Sequence, residues 1–260
     1  MPSRRLAFAA PLLAASFLLV SCADMPNKPQ AQVADSADYE SNNDPFESVN
    51  RVIFDVNDFL DRLLFKPIAG LYRATVPPPV RDRIADIVSN MGEPVTFANN
   101  LLQGEFNRAG VTLERFAINT TVGVGGSFEV ANEWKLYKQV GDFGQTLYVW
   151  GIGDTPYLVL PLLGPSNIRD AIGMGVDSAM SPWQYLARIR SRGTRDKLDI
   201  SYFGADGITR REQNIEGLDA LRAGSLDFYA QMRSVMRQYR NKQLGIKGSE
   251  QQMPKFEDYE

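Results

Sequence analysis

The residue types that carry most enzymatic chemistry are nearly absent from this sequence. Its 260 residues include no histidine, the commonest general base, and one cysteine, Cys22. No Gly-x-Ser-x-Gly or Ser-x-x-Lys motif supplies a serine nucleophile. The carboxylates of Asp55, Asp58 and Asp61 fall on the polar side of an amphipathic segment, so we expect a solvated helix face there. The sequence therefore predicts no enzyme, no catalytic residues, no metal ligands and no cofactor.

Cys22 stands at the end of a short export signal. Two arginines near the N-terminus precede an apolar run from Leu6 to Val20. This run is shorter than the roughly 20 residues that span a bilayer, which favours a removable signal peptide, residues 1–21, over a membrane-spanning anchor. The sequence Leu19-Val20-Ser21-Cys22 resembles the bacterial lipobox, in which the cysteine is acylated and becomes the mature N-terminus. The alternative is cleavage nearby without acylation of Cys22.

The charge of the chain does not favour nucleic acid as a partner. Removal of residues 1–21 takes away two arginines and would lower the net charge from −3 by two, to −5. A protein that binds a phosphate backbone carries a basic face instead. We therefore expect no nucleic-acid binding.

Composition divides the mature chain into three parts. Residues 22–43 are polar and poor in large apolar side chains, which predicts a flexible, lipidated tether. Residues 44–245 have the composition of a folded helical domain, and residues 246–260 form a polar tail.

The folded part opens with a strongly amphipathic helix over residues 47–65. Lys66-Pro67 should end or kink it, because proline disfavours a helical conformation in the preceding residue. Periodicity does not decide whether the apolar stripe packs against a core, a partner or the acyl region of a leaflet. The stripe consists of Val49, Val52, Ile53, Val56, Phe59, Leu60, Leu63 and Leu64.

Further helices are expected from periodicity and from helix-breaking residues. Gly92 should stop a second helix, and Pro94 should start another. The remaining expected helices cover residues 95–106, 109–121, 168–180, 182–190 and 214–240.

The segment from Leu147 to Leu163 is apolar but interrupted by glycine and proline. No straight membrane-spanning helix fits that pattern. The segment is either core with short extended pieces or a re-entrant hydrophobic surface, and periodicity does not distinguish the two.

Several stretches, in chain order, resemble the signature of the MlaA/VacJ lipoproteins. The resemblance covers residues 44–180. The stretches are Asp44-Pro45-Phe46-Glu47 with Asn50-Arg51; Lys66-Pro67; Asn100-Leu101-Leu102-Gln103-Gly104; Arg115-Phe116-Ala117-Ile118-Asn119-Thr120 with Gly123, Gly125 and Gly126; Asp142-Phe143-Gly144-Gln145-Thr146-Leu147; and Pro156-Tyr157, Leu160-Pro161-Leu162-Leu163-Gly164-Pro165 and Arg169-Asp170.

This resemblance implies an all-α, mostly helical fold: a ring-shaped single domain of amphipathic helices lying in the inner leaflet of the outer membrane. It implies a lipoprotein, anchored at the periplasmic face, that removes mislocalised phospholipids from the outer leaflet through an amphipathic channel. The implied partners are phospholipid, a trimeric outer-membrane porin and a soluble periplasmic lipid carrier, and the implied outcome is retrograde transport that maintains lipid asymmetry.

Within that picture, glycines that permit a close-packed opening and aromatic residues of the interrupted apolar segment are the candidate channel or rim positions. They are Gly123, Gly125, Gly126, Tyr148, Trp150 and Tyr157.

Two alternative functions remain at this level. One is a structural lipoprotein that packs against a porin without transporting lipid. The other is a lipid-modifying enzyme that works without histidine.

Overall fold

The structure, a computed structural model, describes residues 43–183 and 204–246. Several expectations fall outside these ranges: the signal peptide 1–21, the tether 22–43 apart from Asn43, Cys22 itself, most of the expected helix 182–190, and the tail 246–260 apart from Ile246.

Helices dominate the described residues, which confirms the mostly helical fold class. In chain order the elements are α1 Glu47–Leu60, a π-helical turn Asp61–Phe65, α2 Lys66–Thr75, α3 Pro78–Leu102, α4 Phe106–Thr121, α5 Val130–Glu133, α6 Phe143–Val149, β1 Tyr157–Leu160, β2 Gly164–Asn167, α7 Ile168–Met180, helical residues 204–213, α8 Ile215–Gly224 and α9 Phe228–Gln243.

The first helix does not end at Lys66-Pro67. Lys66 keeps helical dihedral angles, and its amide donates to the carbonyl of Asp61, five residues back. A wider π-helical turn just before a proline relieves the clash of its ring with the preceding turn. α1 therefore continues through this turn directly into α2.

The expected stop at Gly92 and start at Pro94 are both wrong, because α3 runs through them as one helix of 25 residues. α3 packs along α4 on its way. Tertiary packing of this kind commonly overrides the local preferences of glycine and proline. Gly110 lies inside α4, which is not interrupted there.

An antiparallel hairpin forms within the interrupted apolar segment. Tyr157 pairs with Asn167, and Leu160 pairs with Gly164. Tyr157 and Val159 point into the core, whereas Leu162 and Leu163 at the tip are each 65% exposed. The segment is thus both core and surface, since buried and exposed stretches alternate along it.

The apolar core is small and joins α1, β1 and α9. The rings of Tyr157 and Phe54 both meet Tyr229 edge-on, at centroid distances of 6.0 and 5.4 Å. Val159 and Met232 complete the buried cluster. Beyond this core and a few buried alanines, most of the buried side chains in the described ranges are polar.

Candidate functional site

Most of the predicted apolar stripe faces outward from the first helical unit, which is formed by α1, the π-helical turn and α2, whereas Ile53 packs against the core and Leu60 is half-buried. Val52 is 63% exposed and Leu71 is 65% exposed, so neither contributes to the core. An exposed apolar surface of this extent marks a site of contact with a protein or a membrane. The exposed members along α1, the π-helical turn and α2, called the apolar stripe below, are Val49, Val52, Val56, Phe59, Leu63, Leu64, Phe65, Ile68 and Leu71.

The opposite side of the same unit is charged and faces the C-terminal helices. Asp61 pairs with Arg211 at 2.6 Å, and Asp58 pairs with Arg222. Lys66 pairs with Asp219 on α8 at 2.8 Å. The expected solvated face is therefore wrong for Asp58 and Asp61, whose arginine partners lie 164 and 150 residues away in sequence. Asp55 is exposed, as expected.

Other elements also expose large apolar side chains. Phe106 opens α4 with 68% of its surface exposed. The indole N–H of Trp150 donates to the carbonyl of Leu102 at 3.1 Å, yet its ring remains largely exposed. Further exposed residues include Leu101, Leu113, Val122, Val124, Phe128, Trp134, Tyr137, Val140, Ile152, Leu162, Leu163 and Ile172.

Two motifs of the family signature meet in a partly buried ionic cluster, called the Asp142 cluster below. Arg240 of α9 binds both carboxylate oxygens of Asp142, at 2.6 and 2.7 Å, and Asp170 at 2.8 Å. Asp142 also caps α6 by accepting from the amide of Gln145. Burial raises the pKa of Asp142, but the hydrogen bonds and charge of Arg240 outweigh it and leave that pKa below its ordinary value.

Glycine makes this cluster possible. A Cβ on Gly144 would lie 2.6 Å from the Arg240 guanidinium. A Cβ on Gly173 would lie 2.5 Å from the amide nitrogen of Gly144, so α6 and α7 approach at backbone distance. The close approach places Asp142 and Asp170 around one arginine.

Asparagine links this cluster to α3. Asn99, fully buried, donates to Asp177 at 2.7 Å and accepts from the hydroxyl of Thr146 at 2.9 Å. The Asp177 carboxylate also accepts from the amide of Phe143. Burial raises the pKa of Asp177 despite these donors. The polar residues around Asn99 thus point inward, while Leu101 and Leu102 point outward.

A second buried ionic group holds α3, α4 and α5 together. Arg115 is fully buried and lies 3.4 Å from Glu93 and 3.1 Å from Glu129. Burial raises the pKa of Glu93, and the charge of Arg115 opposes that shift. Asn119 accepts from the amide of Ala131 at 3.0 Å. The motif from Arg115 to Thr120 therefore supplies interior polar contacts.

Asn50 and Asn57 of α1 bind the backbone of the hairpin. Asn50 accepts from the amide of Val159 at 2.9 Å and donates to Asp44 at 2.8 Å. Asp44 also pairs with Arg233 at 3.0 Å and accepts from the Tyr229 hydroxyl. Asn50 lies in one of the stretches that carry the family resemblance, but the sequence did not predict its contacts and Asn57 was not a candidate, although two amides seven residues apart on an amphipathic helix indicate one polar face.

The glycines proposed for the channel lie in the turn after α4. Gly125 and Gly126 have φ of +70° and +88°, which favours glycine. A Cβ on Gly126 would meet Asn90 of α3 at 2.6 Å, and one on Gly123 would meet the carbonyl of Asn119 at 2.5 Å. The turn is thus packed closely onto α3 and the end of α4.

The three aromatic candidates occupy different environments. Tyr148 is buried beneath the guanidinium of Arg169, which lies 5.4 Å from its ring centre. Tyr157 is buried in the apolar core, and that burial raises the pKa of its hydroxyl. Trp150 is exposed, with its ring 5.7 Å from that of Phe143. The structure therefore does not bring these three residues and the glycine turn together at one place.

Over residues 43–183 and 204–246, no helix is both long and apolar enough to cross a bilayer. In the same ranges, acidic side chains nowhere gather in threes with the arrangement of a metal site. What the described residues present is an outward apolar surface over an interior of buried amides and ion pairs.

Comparison with known proteins gives a consistent result. The model of the MlaA lipoprotein family matches residues 42–243. An uncharacterised protein of Rickettsia bellii is 34% identical over 198 residues, covering 76% of this chain and 75% of its own. The intermembrane phospholipid transport system lipoprotein MlaA of Haemophilus influenzae is 31% identical over 218 residues, covering 82% of each chain.

A solved structure agrees with this sequence comparison. It comes from work on the structural basis for maintenance of bacterial outer membrane lipid asymmetry. The two chains are 32% identical and superpose with a TM-score of 0.65, covering 77% of this chain and 98% of the other.

Proposed function

This chain belongs to the MlaA lipoprotein family, and from that premise we propose that it removes mislocalised phospholipids from the outer leaflet of the outer membrane. In this proposal the lipid passes through an amphipathic channel to a soluble periplasmic carrier for retrograde transport. The result is maintenance of outer-membrane lipid asymmetry.

The observation that carries the proposal is the outward apolar stripe. About 25 cal/mol is gained for each Å² of apolar surface removed from water, so nine large exposed side chains strongly favour an apolar environment. No described helix crosses a bilayer. A helical unit that is apolar on one side and ion-paired on the other fits the plane of one leaflet.

The buried polar clusters support passage of an amphipathic molecule. Ion pairs such as Arg115–Glu93 add less stability than apolar packing does, because both charges are desolvated. Proteins that face lipid outside and polar groups inside invert the usual pattern of burial. A phospholipid head group requires polar surroundings of this kind on its way through a leaflet.

The proposal also includes a lipid anchor, candidate channel residues and a partner in the membrane. Acylation of Cys22 would hold the domain at the periplasmic face of the outer membrane through a tether of residues 22–43. Gly123, Gly125, Gly126, Tyr148, Trp150 and Tyr157 remain our candidates for the channel or its rim. A trimeric porin is the proposed neighbour in the membrane, and no catalytic step is proposed.

The test is the phospholipid content of the outer leaflet, measured by surface-accessible lipid labelling in the native bacterium. Wild type is compared with a deletion strain and with a Cys22→Ala strain. We expect phospholipid to accumulate at the surface in both mutants. If neither mutant differs from wild type while the purified protein still binds a porin, the protein is a structural lipoprotein. Turnover of phospholipid by the purified protein would establish an enzyme instead.

A further inference from the structure

The tip of the β1–β2 hairpin, residues Pro161, Leu162 and Leu163, is apolar and exposed, and Leu162 and Leu163 each expose 65% of their surface. We propose that this hairpin tip inserts into the acyl layer beside α1 and acts as a second membrane-contacting element. The inference rests on the membrane placement in the proposed function and adds the element that fixes the orientation of α1 in the leaflet.

Asn57 of α1 binds two backbone groups at the hairpin tip. The side-chain amide of Asn57 donates to the carbonyl of Leu160 at 2.9 Å and accepts from the amide of Leu162 at 2.9 Å. In hydrocarbon each unsatisfied backbone group costs several kcal/mol, which excludes ordinary turns from the acyl region. Asn57 removes that penalty at two backbone groups of the turn.

The residue types at the hairpin tip also indicate an apolar partner. Leu162 adopts φ of +65°, a left-handed conformation that glycine or asparagine accepts at much lower cost. An exposed leucine in this strained conformation contributes no stability to the folded protein by itself. The strain is understandable when the leucine side chain itself is needed outside the protein.

The hairpin lies against α1, which also carries part of the apolar stripe. α1 packs against both strands, and Asn50 and Asn57 hold the hairpin from one side of that helix. Val56, directly before Asn57, belongs to the stripe and is 52% exposed. From Pro161 to Gly164 the turn carries no charged or hydrogen-bonding side chain, so acyl chains are the chemistry that fits it. The two rigidly joined contacts would set the tilt of α1 in the leaflet.

The experiment uses a fluorophore that reports depth in a bilayer. Single cysteines replace Leu163 at the hairpin tip, Val56 in the stripe and Gln213 at an exposed polar position, and each is labelled with an environment-sensitive NBD dye. Labelling of the unsubstituted protein measures any reaction at Cys22. Each protein is mixed with phosphatidylethanolamine–phosphatidylglycerol vesicles that contain phosphatidylcholine brominated in its acyl chains.

We expect blue-shifted and quenched emission at Leu163→Cys and Val56→Cys, with no change at Gln213→Cys. Quenching at Val56→Cys alone would overturn the insertion of the hairpin tip and leave the proposed function standing. Absence of quenching at both positions would refute the membrane placement itself. A shift at Leu163→Cys only after addition of purified porin would identify the tip as a protein contact and overturn the inference.

A second variant separates folding from insertion. Leu162→Asn introduces a residue that tolerates the left-handed conformation, and it removes the apolar side chain. We expect the unfolding midpoint of this variant to equal or exceed that of wild type. Its affinity for vesicles should fall roughly tenfold, because one leucine side chain is no longer transferred from water into the acyl layer. Leu162→Met should retain binding. Wild-type vesicle binding by Leu162→Asn would refute the inference.

Discussion

The close approach of α6 and α7 predicts opposite effects for two neighbouring glycines of one helix. In Gly173→Ala the new Cβ would lie 2.5 Å from the amide nitrogen and 2.9 Å from the Cα of Gly144, so backbone must move by about 1 Å to reach an ordinary contact distance. Overpacking of this kind costs about 1–3 kcal/mol. Gly175→Ala has nothing within 4 Å of its new Cβ and gains about 0.5–1 kcal/mol from helix propensity.

The two variants should therefore differ by the overpacking cost of about 1–3 kcal/mol, since each also removes one helical glycine and that gain cancels in the comparison. For a domain of this size the difference corresponds to roughly 2–12 °C in Tm. Thermal unfolding in a mild detergent, followed by circular dichroism, measures it. Equal stability of Gly173→Ala and Gly175→Ala would refute the backbone contact and with it the geometry of the Asp142 cluster.

Other predictions concern the buried polar groups. Arg240→Ala leaves Asp142 without its guanidinium partner and leaves Asp170 paired with Arg169, and it should cost about 2–3 kcal/mol in denaturant unfolding. Arg210→Ala, which removes an exposed pair, should change stability by less than about 0.5 kcal/mol. Asn50→Ala should cost about 3 kcal/mol and speed hydrogen exchange at the amide of Val159, because three buried groups each lose one hydrogen bond. The lowered pKa of Asp142 contributes stability that is present above its unfolded pKa of about 4 and is lost as pH falls through the folded value. Asp142→Asn should flatten this acid dependence, and an unchanged acid transition in that variant would contradict the assignment.

Periodicity predicted the stripe of α1 but not the direction it faces. The same spacing of Val49, Val52, Val56 and Phe59 describes a helix buried against a core and a helix exposed to lipid. What decides between them is whether other elements supply an apolar surface. Here the helices opposite supply Arg211 and Arg222, whose partners on the first helical unit are Asp58 and Asp61.

Most of the contacts that the sequence did not predict join residues that are far apart along the chain. Asp142 and Arg240 are 98 residues apart, and local patterns do not encode which arginine a carboxylate will meet. Helix boundaries failed for a related reason, since packing along α4 carries α3 through both Gly92 and Pro94. Local signals succeeded at α7, which covers Ile168–Met180 where periodicity predicted a helix over 168–180.

The most direct test of the central claim changes the apolar stripe alone. Val52→Glu with Val56→Glu adds two charges to exposed apolar positions, and Gln213→Glu with Gln231→Glu adds the same charge at exposed polar positions. The measurement is outer-leaflet phospholipid in strains that carry each pair in place of wild type. We predict accumulation close to that of the deletion strain for the valine pair and wild-type levels for the glutamine pair. Wild-type lipid levels with the valine pair, at normal protein abundance, would contradict the claim that this stripe works in the membrane.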